Sequence, residues 1–268
     1  MLSQEQANEK ILVLMNQRKT FVLSEEEKKL FKELIYICDL NIQDKHLWNP
    51  VMFLLYKNSI LNFSKEEIYQ FLQKVDINQQ NKDGFTAIMF LFYFNKEAKI
   101  NLSTNHIFEL VKKANLNIKN NMGESVLNIL IKKNDTSEIN FDWKKINKLL
   151  EKININDFIN QEGYTLYALL LMNNKKEKIH LPTWVLRKKW KELNYKNKYE
   201  TIKMIGILDE KVTDVISFLV FDIHVNTHKN LQKLFIKNNK NIFLKNIRKR
   251  DLMLELSNNK FKEKIKKI

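Results

Sequence analysis

Three of the four glycines in this chain recur at a nearly constant interval, and this spacing constrains the fold more than any other feature. The three glycines lie 39 and 40 residues apart, and each is followed two positions later by a hydroxyl residue. The glycines are Gly84, Gly123 and Gly163, and the hydroxyl residues are Thr86, Ser125 and Thr165. A fixed period of this length is typical of proteins built from stacked repeats. The chain is therefore predicted to form a tandem array, an architecture that usually provides a binding surface.

A second motif, consisting of an apolar residue, any residue, an apolar residue and a helix cap, occurs five times with the same period. Its final residues are separated by 40, 39, 39 and 40 positions. They are Ser24, Ser64, Ser103, Asp142 and Pro182. Serine or aspartate at an N-cap accepts a hydrogen bond from an unpaired backbone N–H, which contributes about 1 kcal/mol. Glu27 and Glu67, three residues after the first two caps, are placed to complete capping boxes. Each motif predicts the start of a helix.

Each repeat is predicted to consist of a turn, a helix, a connector and a second helix. The first helices correspond to apolar runs at residues 88–94, 126–131 and 166–172. The second helices carry apolar residues four, seven and eight positions after the cap, which is one face of a helix. In the first repeat the apolar pair Leu34 and Ile35 comes one turn later, so a longer helix over residues 24–37 is expected. The fold class is therefore all-α, a helical-hairpin solenoid with short turns. The repeats begin near Gln4, Asp39, Asp76, Asn115 and Asn154.

The turn around Gly84 resembles that of the ankyrin repeat family, in which Asp-x-x-Gly-x-Thr-Pro-Leu-His opens the first of two antiparallel helices. Residues 81–88, Asn-Lys-Asp-Gly-Phe-Thr-Ala-Ile, match this motif well, and the turns at Gly123 and Gly163 match it moderately. In the preceding repeat Leu47 replaces the glycine, whereas Pro50 falls at the position of the family's proline. The resemblance covers about residues 1–195 and implies a stack of about five ankyrin-like repeats.

The repeats also depart from the ankyrin pattern. The family's histidine is replaced by Met52, Met89, Asn128 and Ala168, and its small packing alanine by Leu54, Leu91, Leu130 and Leu170. The period is longer than the usual ankyrin length of about 33 residues. HEAT and armadillo repeats are close to the length found here. An unrelated helical-hairpin solenoid is therefore the alternative fold.

Positive charge is concentrated towards the C-terminus. The net charge is +15, and residues 175–268 contain 24 Lys and Arg against 10 Asp and Glu. We therefore divide the chain into a repeat stack, residues 1–195, and a basic helical region, residues 196–268, that continues or caps the stack. Such asymmetry can indicate an acidic protein partner, a nucleic acid or an anionic membrane surface. A solvated basic cap, with lysine enriched by AT-rich codon usage, is the alternative.

In ankyrin proteins, partners are usually bound by the turn tips and by the inner face of the first helices. The resemblance implies that the residues flanking the turn glycine, or its equivalent, point outward here. The candidate partner-binding residues are Trp48, Lys82, Asp83, Phe85, Met122, Glu124, Glu162 and Tyr164. Because exposed aromatic residues are typical interface anchors, the row formed by Trp48, Phe85 and Tyr164 is predicted to be a binding stripe. The alternative is that these rings pack against the next turn.

The sequence contains no evident catalytic or cofactor site. His224 and His228 have the spacing of a metal-binding pair, but no third ligand for zinc is evident. Four glycines leave no Gly-x-x-x-x-Gly-Lys phosphate loop, and Cys38 has no motif around it. We therefore expect a protein that is not an enzyme and binds no cofactor. No apolar run approaches the roughly 18 residues of a membrane span. We expect a cytoplasmic location, or delivery into a host cell without a signal peptide.

These observations predict a protein–protein interaction scaffold, such as a bacterial effector or an inhibitor that sequesters an enzyme or toxin. The alternative is a protein that binds nucleic acid or an anionic surface through its basic residues. The candidate basic patch consists of Arg187, Lys188, Lys189, Lys191, Lys245, Arg248, Lys249 and Arg250. The chain has only four arginines, which argues against base-specific recognition through arginine–guanine pairs.

Overall fold

A computed structural model describes residues 2–16, 23–157 and 163–205 of the chain. The chain divides into two compact lobes, an N-terminal lobe, Met1–Leu181, and a C-terminal lobe, Pro182–Ile268. The division that the sequence predicts after residue 195 falls inside the C-terminal lobe, and most of the basic region lies outside the described residues.

The described residues form eleven α-helices, one 3₁₀ turn and no β-strand, which confirms the all-α class. The N-terminal lobe contains α1 (Gln4–Asn16), α2 (Glu25–Leu34), α3 (Pro50–Leu61), α4 (Lys65–Lys74), α5 (Ala87–Phe94), α6 (Thr104–Lys113), α7 (Val126–Lys133), α8 (Trp143–Leu150), the 3₁₀ turn Ile155–Asp157 and α9 (Leu166–Lys176). The C-terminal lobe contributes α10 (Thr183–Glu192) and α11 (Tyr195–Ile205). Among all the described residues, no helix combines the length and hydrophobicity needed to cross a bilayer.

The predicted caps determine where the second helices begin. The side chains of Ser24 and Ser64 accept hydrogen bonds from the backbone N–H groups of Glu27 and Glu67, and both glutamates accept a bond in return. Both predicted capping boxes are thus confirmed. Ser103 and Asp142 also cap α6 and α8, whereas Pro182 supplies no side-chain cap. The first helices α3, α5 and α7 are capped by Asn49, Thr86 and Ser125.

The predicted length of α2 is wrong. This helix ends at Leu34 and has 10 residues, the same length as α4 and α6. Beyond Leu34 the chain continues in turns, where the N–H groups of Ile37 and Cys38 both donate to the Leu34 carbonyl. Leu34 and Ile35 are nevertheless buried. The later position of this apolar pair is therefore accommodated by a turn and not by a longer helix.

The first helices of successive repeats pack side by side. Helix α3 contacts α5, α5 contacts α7, and α7 contacts α9, while the second helices α4 and α6 also contact each other. Leucine recurs at one position of the first helices, and all four of these leucines are fully buried: Leu54, Leu91, Leu130 and Leu170. Helices this short cannot form a core alone, so neighbouring repeats supply the surface on which each one is buried.

Three buried asparagines, which we call the asparagine ladder, link each repeat to the next. The side-chain amides of Asn58, Asn95 and Asn134 donate to the backbone carbonyls of Ala98, Ser137 and Glu177, respectively. Their Oδ1 atoms accept from the backbone N–H groups of Phe63, Leu102 and Phe141 at the ends of their own connectors. The ladder therefore satisfies buried backbone groups of the connectors and joins consecutive repeats.

The middle residue of the cap motif adopts the left-handed backbone conformation. The φ angles lie between 52° and 55° at Asn62, Asn101, Asn140 and His180. Asparagine enters this conformation more readily than most residues with a side chain. This requirement explains why asparagine recurs between the two apolar residues of the motif.

Candidate functional site

The turns that open the first helices share one hydrogen-bonding arrangement. The side-chain Oδ1 of Asp44, Asn81 or Asn120 accepts bonds from the backbone N–H groups two and four residues later. At the glycine position φ is 78° at Gly84 and 60° at Leu47. Both values are left-handed, so the turn at Leu47 has the conformation that the later turns obtain with glycine.

Neighbouring turns are joined by hydrogen bonds. The N–H of Lys82 donates to the His46 carbonyl at 3.0 Å, and the N–H of Asn121 donates to the Asp83 carbonyl at 2.9 Å. The side-chain amide of Asn121 also donates to the Lys82 carbonyl at 2.9 Å. These bonds hold the turn tips in a row and bring residues from neighbouring repeats together.

Residues of α3, α5 and three consecutive turns line an open cavity of about 490 Å³, which we call the aromatic groove. Its lining residues are Trp48, Tyr56, Lys57, Asn81, Asp83, Phe85, Phe90, Tyr93, Phe94 and Met122. The volume falls in the range of roughly 300–1,000 Å³ that is usual for ligand-binding clefts.

The rings of the aromatic groove pack on one another. The Trp48 and Phe85 ring centroids lie 4.6 Å and 5.7 Å from that of Phe90, and Tyr56 meets Phe94 edge-on at 5.3 Å. These separations are in the favourable range for aromatic pairs. Phe90 is buried, whereas the other four rings are half-buried. The groove is therefore preformed and retains accessible aromatic surface.

Four of the eight predicted partner-binding residues line this groove: Trp48, Asp83, Phe85 and Met122. Met122 and Asp83 are exposed, and Trp48 and Phe85 are half-buried. Trp48 packs on Phe90, which lies in α5 of the next repeat and not in its turn, and the partner-binding role of these residues stays a prediction. Lys82 is exposed beside Asp83. Tyr164 is half-buried and does not line the groove, and Glu162 lies outside the described residues.

Glu124 does not point outward, contrary to the expectation from the resemblance. The residue is only 7% exposed, and its carboxylate pairs with Nζ of Lys132 at 2.5 Å. The Tyr93 hydroxyl donates to the same carboxylate at 3.4 Å. Burial, together with the charge of Glu124, raises the pKa of Tyr93 to about 12. The carboxylate is drawn inward because both partners approach it from α5 and α7.

Sequence reasoning missed six residues of the groove: Lys57, Asn81 and the four aromatic residues Tyr56, Phe90, Tyr93 and Phe94. Three of them belong to α5, whose sequence Ala-Ile-Met-Phe-Leu-Phe-Tyr-Phe contains no charged residue. From the sequence, this run indicates only a buried first helix. A helix that is apolar on every face and packs against α3 and α7 presents an apolar surface that these neighbours do not cover. That uniform apolarity is the signal that could have located the groove.

The charged residues that line the groove or lie beside it are unevenly placed. Asp83 lines it from a turn. Lys57 lines it from the second half of α3, with Nζ 4.9 Å from the centroid of the Tyr56 ring, and burial lowers the pKa of this ammonium group. Lys133, on α7, places its Nζ 4.8 Å from the centroid of the Tyr93 ring in the last turn of α5. Both ammonium groups therefore lie against rings in the later halves of the helices.

The predicted basic residues of α10 are divided between its two faces. Arg187, Lys188 and Lys191 are exposed. Lys189 is only 4% exposed and pairs with Glu192 at 2.8 Å, so it was wrongly assigned to the basic patch. Its position falls on the buried face of the helix, four residues after the buried Val185. Lys245, Arg248, Lys249 and Arg250 lie outside the described residues.

Within the described residues, no group of three or more His, Cys, Asp or Glu is arranged to hold a metal ion. His224 and His228 lie outside that part of the chain. Cys38 is buried, and burial raises the pKa of its thiol to about 12, which disfavours the reactive thiolate. No protein-family model matches this chain, and no curated protein sequence matches it.

Proposed function

We propose that this protein is a non-catalytic protein-interaction scaffold of divergent ankyrin-like repeats, which binds a segment of a partner protein in the aromatic groove. The observation that carries this proposal is the convergence of six aromatic residues from α3, α5 and two turns on one open cavity. Tryptophan and tyrosine in well-packed clefts are the residue types that most often dominate binding energy at protein interfaces.

The ankyrin-like part of the proposal is supported by the turns. An ankyrin repeat consists of a β-turn followed by two helices. Here each of two turns contains one isolated antiparallel β-bridge, between Gln80 and Thr86 and between Lys119 and Ser125. Each turn precedes a capped first helix, and backbone hydrogen bonds join neighbouring tips. A simple helical hairpin would not need this repeated turn, so the turns favour an ankyrin-like solenoid over HEAT or armadillo repeats.

The protein-binding part is supported by the packing of the rings in the groove. Each ring is already in contact with another ring before any partner arrives. Binding to preorganised side chains loses little conformational entropy, and this loss is one of the main costs of association. An accessible cluster of rings is also an exposed apolar patch, which on a soluble surface commonly marks an interaction site.

Affinity capture from a lysate of cells that express the protein tests this proposal. The full chain is compared with Trp48→Ala/Phe85→Ala, which removes two walls of the groove. Trp184→Ala is the matched control, since Trp184 is an aromatic residue that is 57% exposed and does not line the groove. We expect the wild type and the control to retain a partner protein that the double variant loses. Retention of the same partner by the folded double variant would show that binding occurs elsewhere.

A second candidate function, binding to nucleic acid or to an anionic membrane, is supported by the exposed Arg187, Lys188 and Lys191 of α10. Binding of this kind is dominated by phosphate contacts and weakens steeply with salt. The full chain and Arg187→Ser/Lys188→Ser/Lys191→Ser are compared on duplex DNA and on phosphatidylserine vesicles at low and high salt. Salt-sensitive binding that the triple variant weakens would favour this function, and unchanged binding would exclude α10 from it.

A further inference from the structure

The two ends of the aromatic groove differ in charge. Lys57 and Lys133 hold their ammonium groups against the rings of Tyr56 and Tyr93, at 4.9 and 4.8 Å from the ring centroids. Asp83 lines the groove from the turn side. Two cations therefore lie on the helix side, where Lys57 lines the groove and Lys133 lies beside it, whereas the acidic lining residue, Asp83, lies on the turn side next to the exposed Lys82.

Lys132, which precedes Lys133 in α7, has its charge offset by a neighbouring carboxylate. Lys132 is paired with Glu124 at 2.5 Å, and both side chains are largely withdrawn from solvent. This pair therefore adds little net charge to the helix side, where Lys57 and Lys133 lie against their rings. A ligand that follows the groove thus meets apolar rings flanked on one side by two cations.

We propose that the groove binds an acidic, apolar segment of a partner protein, with a large apolar side chain among the rings and a carboxylate beside Lys57 and Lys133. This inference rests on the proposed function and deepens it by naming the chemistry of the partner. The complementary charge would also steer the segment to the groove and select its orientation.

A cationic segment fits the groove less well, although aromatic clefts bind cations through their ring faces. The faces of Tyr56 and Tyr93 already meet ammonium groups of the same chain. A further cation at those rings would be repelled by both lysines. Among the lining residues, only Asp83 would attract it, and Asp83 lies on the turn side.

The environment of Lys57 also favours a carboxylate. Burial lowers the pKa of this ammonium group, since partial removal from water disfavours its charged form. A carboxylate within about 4–6 Å stabilises the charged form and counteracts that effect. An acidic residue of a partner therefore gains more beside Lys57 than beside a fully exposed lysine.

Asp83 determines the direction of the bound segment. Its carboxylate repels acidic residues at the turn side of the groove, so the acidic end of the segment lies towards Lys57 and Lys133. The turn side is left for a neutral or basic residue of the partner. The row of turns and the helix ends thus bind different ends of one segment.

Selection from a random peptide library displayed on phage tests the proposal, because it finds ligands of the groove even though the partner is unidentified. The full chain is panned in parallel with two variants. Phe85→Ala identifies the peptides that need the groove, and Lys57→Glu/Lys133→Glu tests the charge of the helix side. The control Lys29→Glu/Lys113→Glu reverses two exposed lysines on the second helices α2 and α6. We expect the groove-dependent peptides to combine large apolar residues with Asp or Glu. The control Lys29→Glu/Lys113→Glu should select the same peptides, whereas Lys57→Glu/Lys133→Glu should select basic peptides instead.

A selected acidic peptide is then synthesised with a fluorescent label and titrated with each protein. We expect Lys57→Glu/Lys133→Glu to weaken its Kd about tenfold or more, and the control to change it less than about twofold. If the reversal variant does not fold, Lys57→Gln/Lys133→Gln and the salt dependence of wild-type binding replace it. Wild-type affinity must then fall as salt rises.

The outcomes separate this inference from the proposed function. Groove-dependent peptides that are basic or neutral, or that bind equally after charge reversal, would overturn the acidic-segment proposal and leave the scaffold function standing. Absence of any peptide that requires Phe85 would overturn both. Acidic peptides that bind the wild type with no salt dependence would also overturn the acidic-segment proposal.

Discussion

Gly84 is the residue on which the row of turns depends most directly. Its φ is 78°, and a Cβ at this position would lie 2.8 Å from Cα of Asn120 and 2.9 Å from the backbone nitrogen of Asn121. Contacts this short with backbone atoms leave no room for a side chain. Leu47 holds a left-handed conformation at the equivalent position of the preceding turn, so the conformation alone does not require glycine.

We expect Gly84→Ala to lower the free energy of unfolding by about 1–3 kcal/mol, since it adds a clash to a strained backbone. Leu47→Gly is the matched variant in the other direction. In Leu47→Gly, relief of the left-handed strain at this position, worth roughly 1–2 kcal/mol, offsets the stability that is lost to the greater entropy of glycine in the unfolded chain. Urea unfolding followed by circular dichroism measures both. A Gly84→Ala protein as stable as the wild type would contradict the close approach of the two turns.

Asn128 is a polar residue at a fully buried position. Neither its Oδ1 nor its Nδ2 has a hydrogen-bond partner among the described residues, and the equivalent positions are occupied by the buried Met52 and Met89. We expect Asn128→Leu, which is close to asparagine in shape, to raise the free energy of unfolding by about 1–2 kcal/mol. Met89→Asn should lower it. Urea titration checks both, and a loss of stability in Asn128→Leu would show that the amide is needed.

The raised pKa of Tyr93 links stability to alkaline pH. The folded protein keeps the Tyr93 proton up to a pKa of about 12, whereas the unfolded chain releases it near the ordinary value of 10.0. The stability linked to this proton is therefore fully present below pH 10 and is lost as the pH rises through 12. We expect Tyr93→Phe to lose less stability than the wild type across this window. Thermal unfolding at several pH values measures the difference, and parallel curves would contradict the assignment.

At the scale of the elements, the asparagine ladder connects the helix pairs. Asn95 accepts a bond from the N–H of Leu102 in its own connector and donates to the carbonyl of Ser137 in the next. The end of each first helix is therefore bonded to the following repeat as well as packed against it. Such side-chain to backbone bonds fix the spacing of helices whose apolar surfaces could otherwise slide.

We expect Asn95→Ala to lower the free energy of unfolding by about 2–4 kcal/mol, because it leaves two buried backbone groups without partners. The control is Asn105→Ala, an exposed asparagine on α6, which should change stability by less than about 0.5 kcal/mol. Chemical denaturation of both variants provides the measurement. Similar effects at the two positions would show that the ladder does not stabilise the stack.

At the scale of the whole molecule, the main helix contacts of the N-terminal lobe join neighbours along the array. Stability in such an array is close to a sum of repeat and interface terms. Deletion of residues 76–114, one full period, places Asn115 where Asp76 stood. We expect this shortened protein to fold cooperatively with a lower free energy of unfolding.

Deletion of residues 76–108 is the control for that experiment, because it joins the end of the α4 repeat to the interior of α6. This variant should not fold. Circular dichroism and urea unfolding distinguish the two deletions. If removal of the full period also abolished folding, the chain would not be a modular stack.

Much of the local structure follows from residues that lie near one another in the chain. The serine caps begin α2 and α4 where the motif predicts, and asparagine at positions such as Asn101 matches a left-handed connector. Caps and turns depend on side chains within four residues of the backbone they bind. The length of α2 could not be predicted in this way, since the burial of Leu34 and Ile35 depends on their neighbours in space.

The amino-acid sequence by itself therefore determined the all-α class, the period and the starts of the helices, because short-range hydrogen bonds and apolar spacing specify them. Only the tertiary structure decided which side chains form the aromatic groove. Trp48 and Phe90 meet from different repeats, and Glu124 turns inward to a lysine of α7. Lys189 is withdrawn from the basic patch for the same reason. The exposure of a side chain depends on the packing of distant segments, and a local pattern does not specify which side chains from different repeats meet.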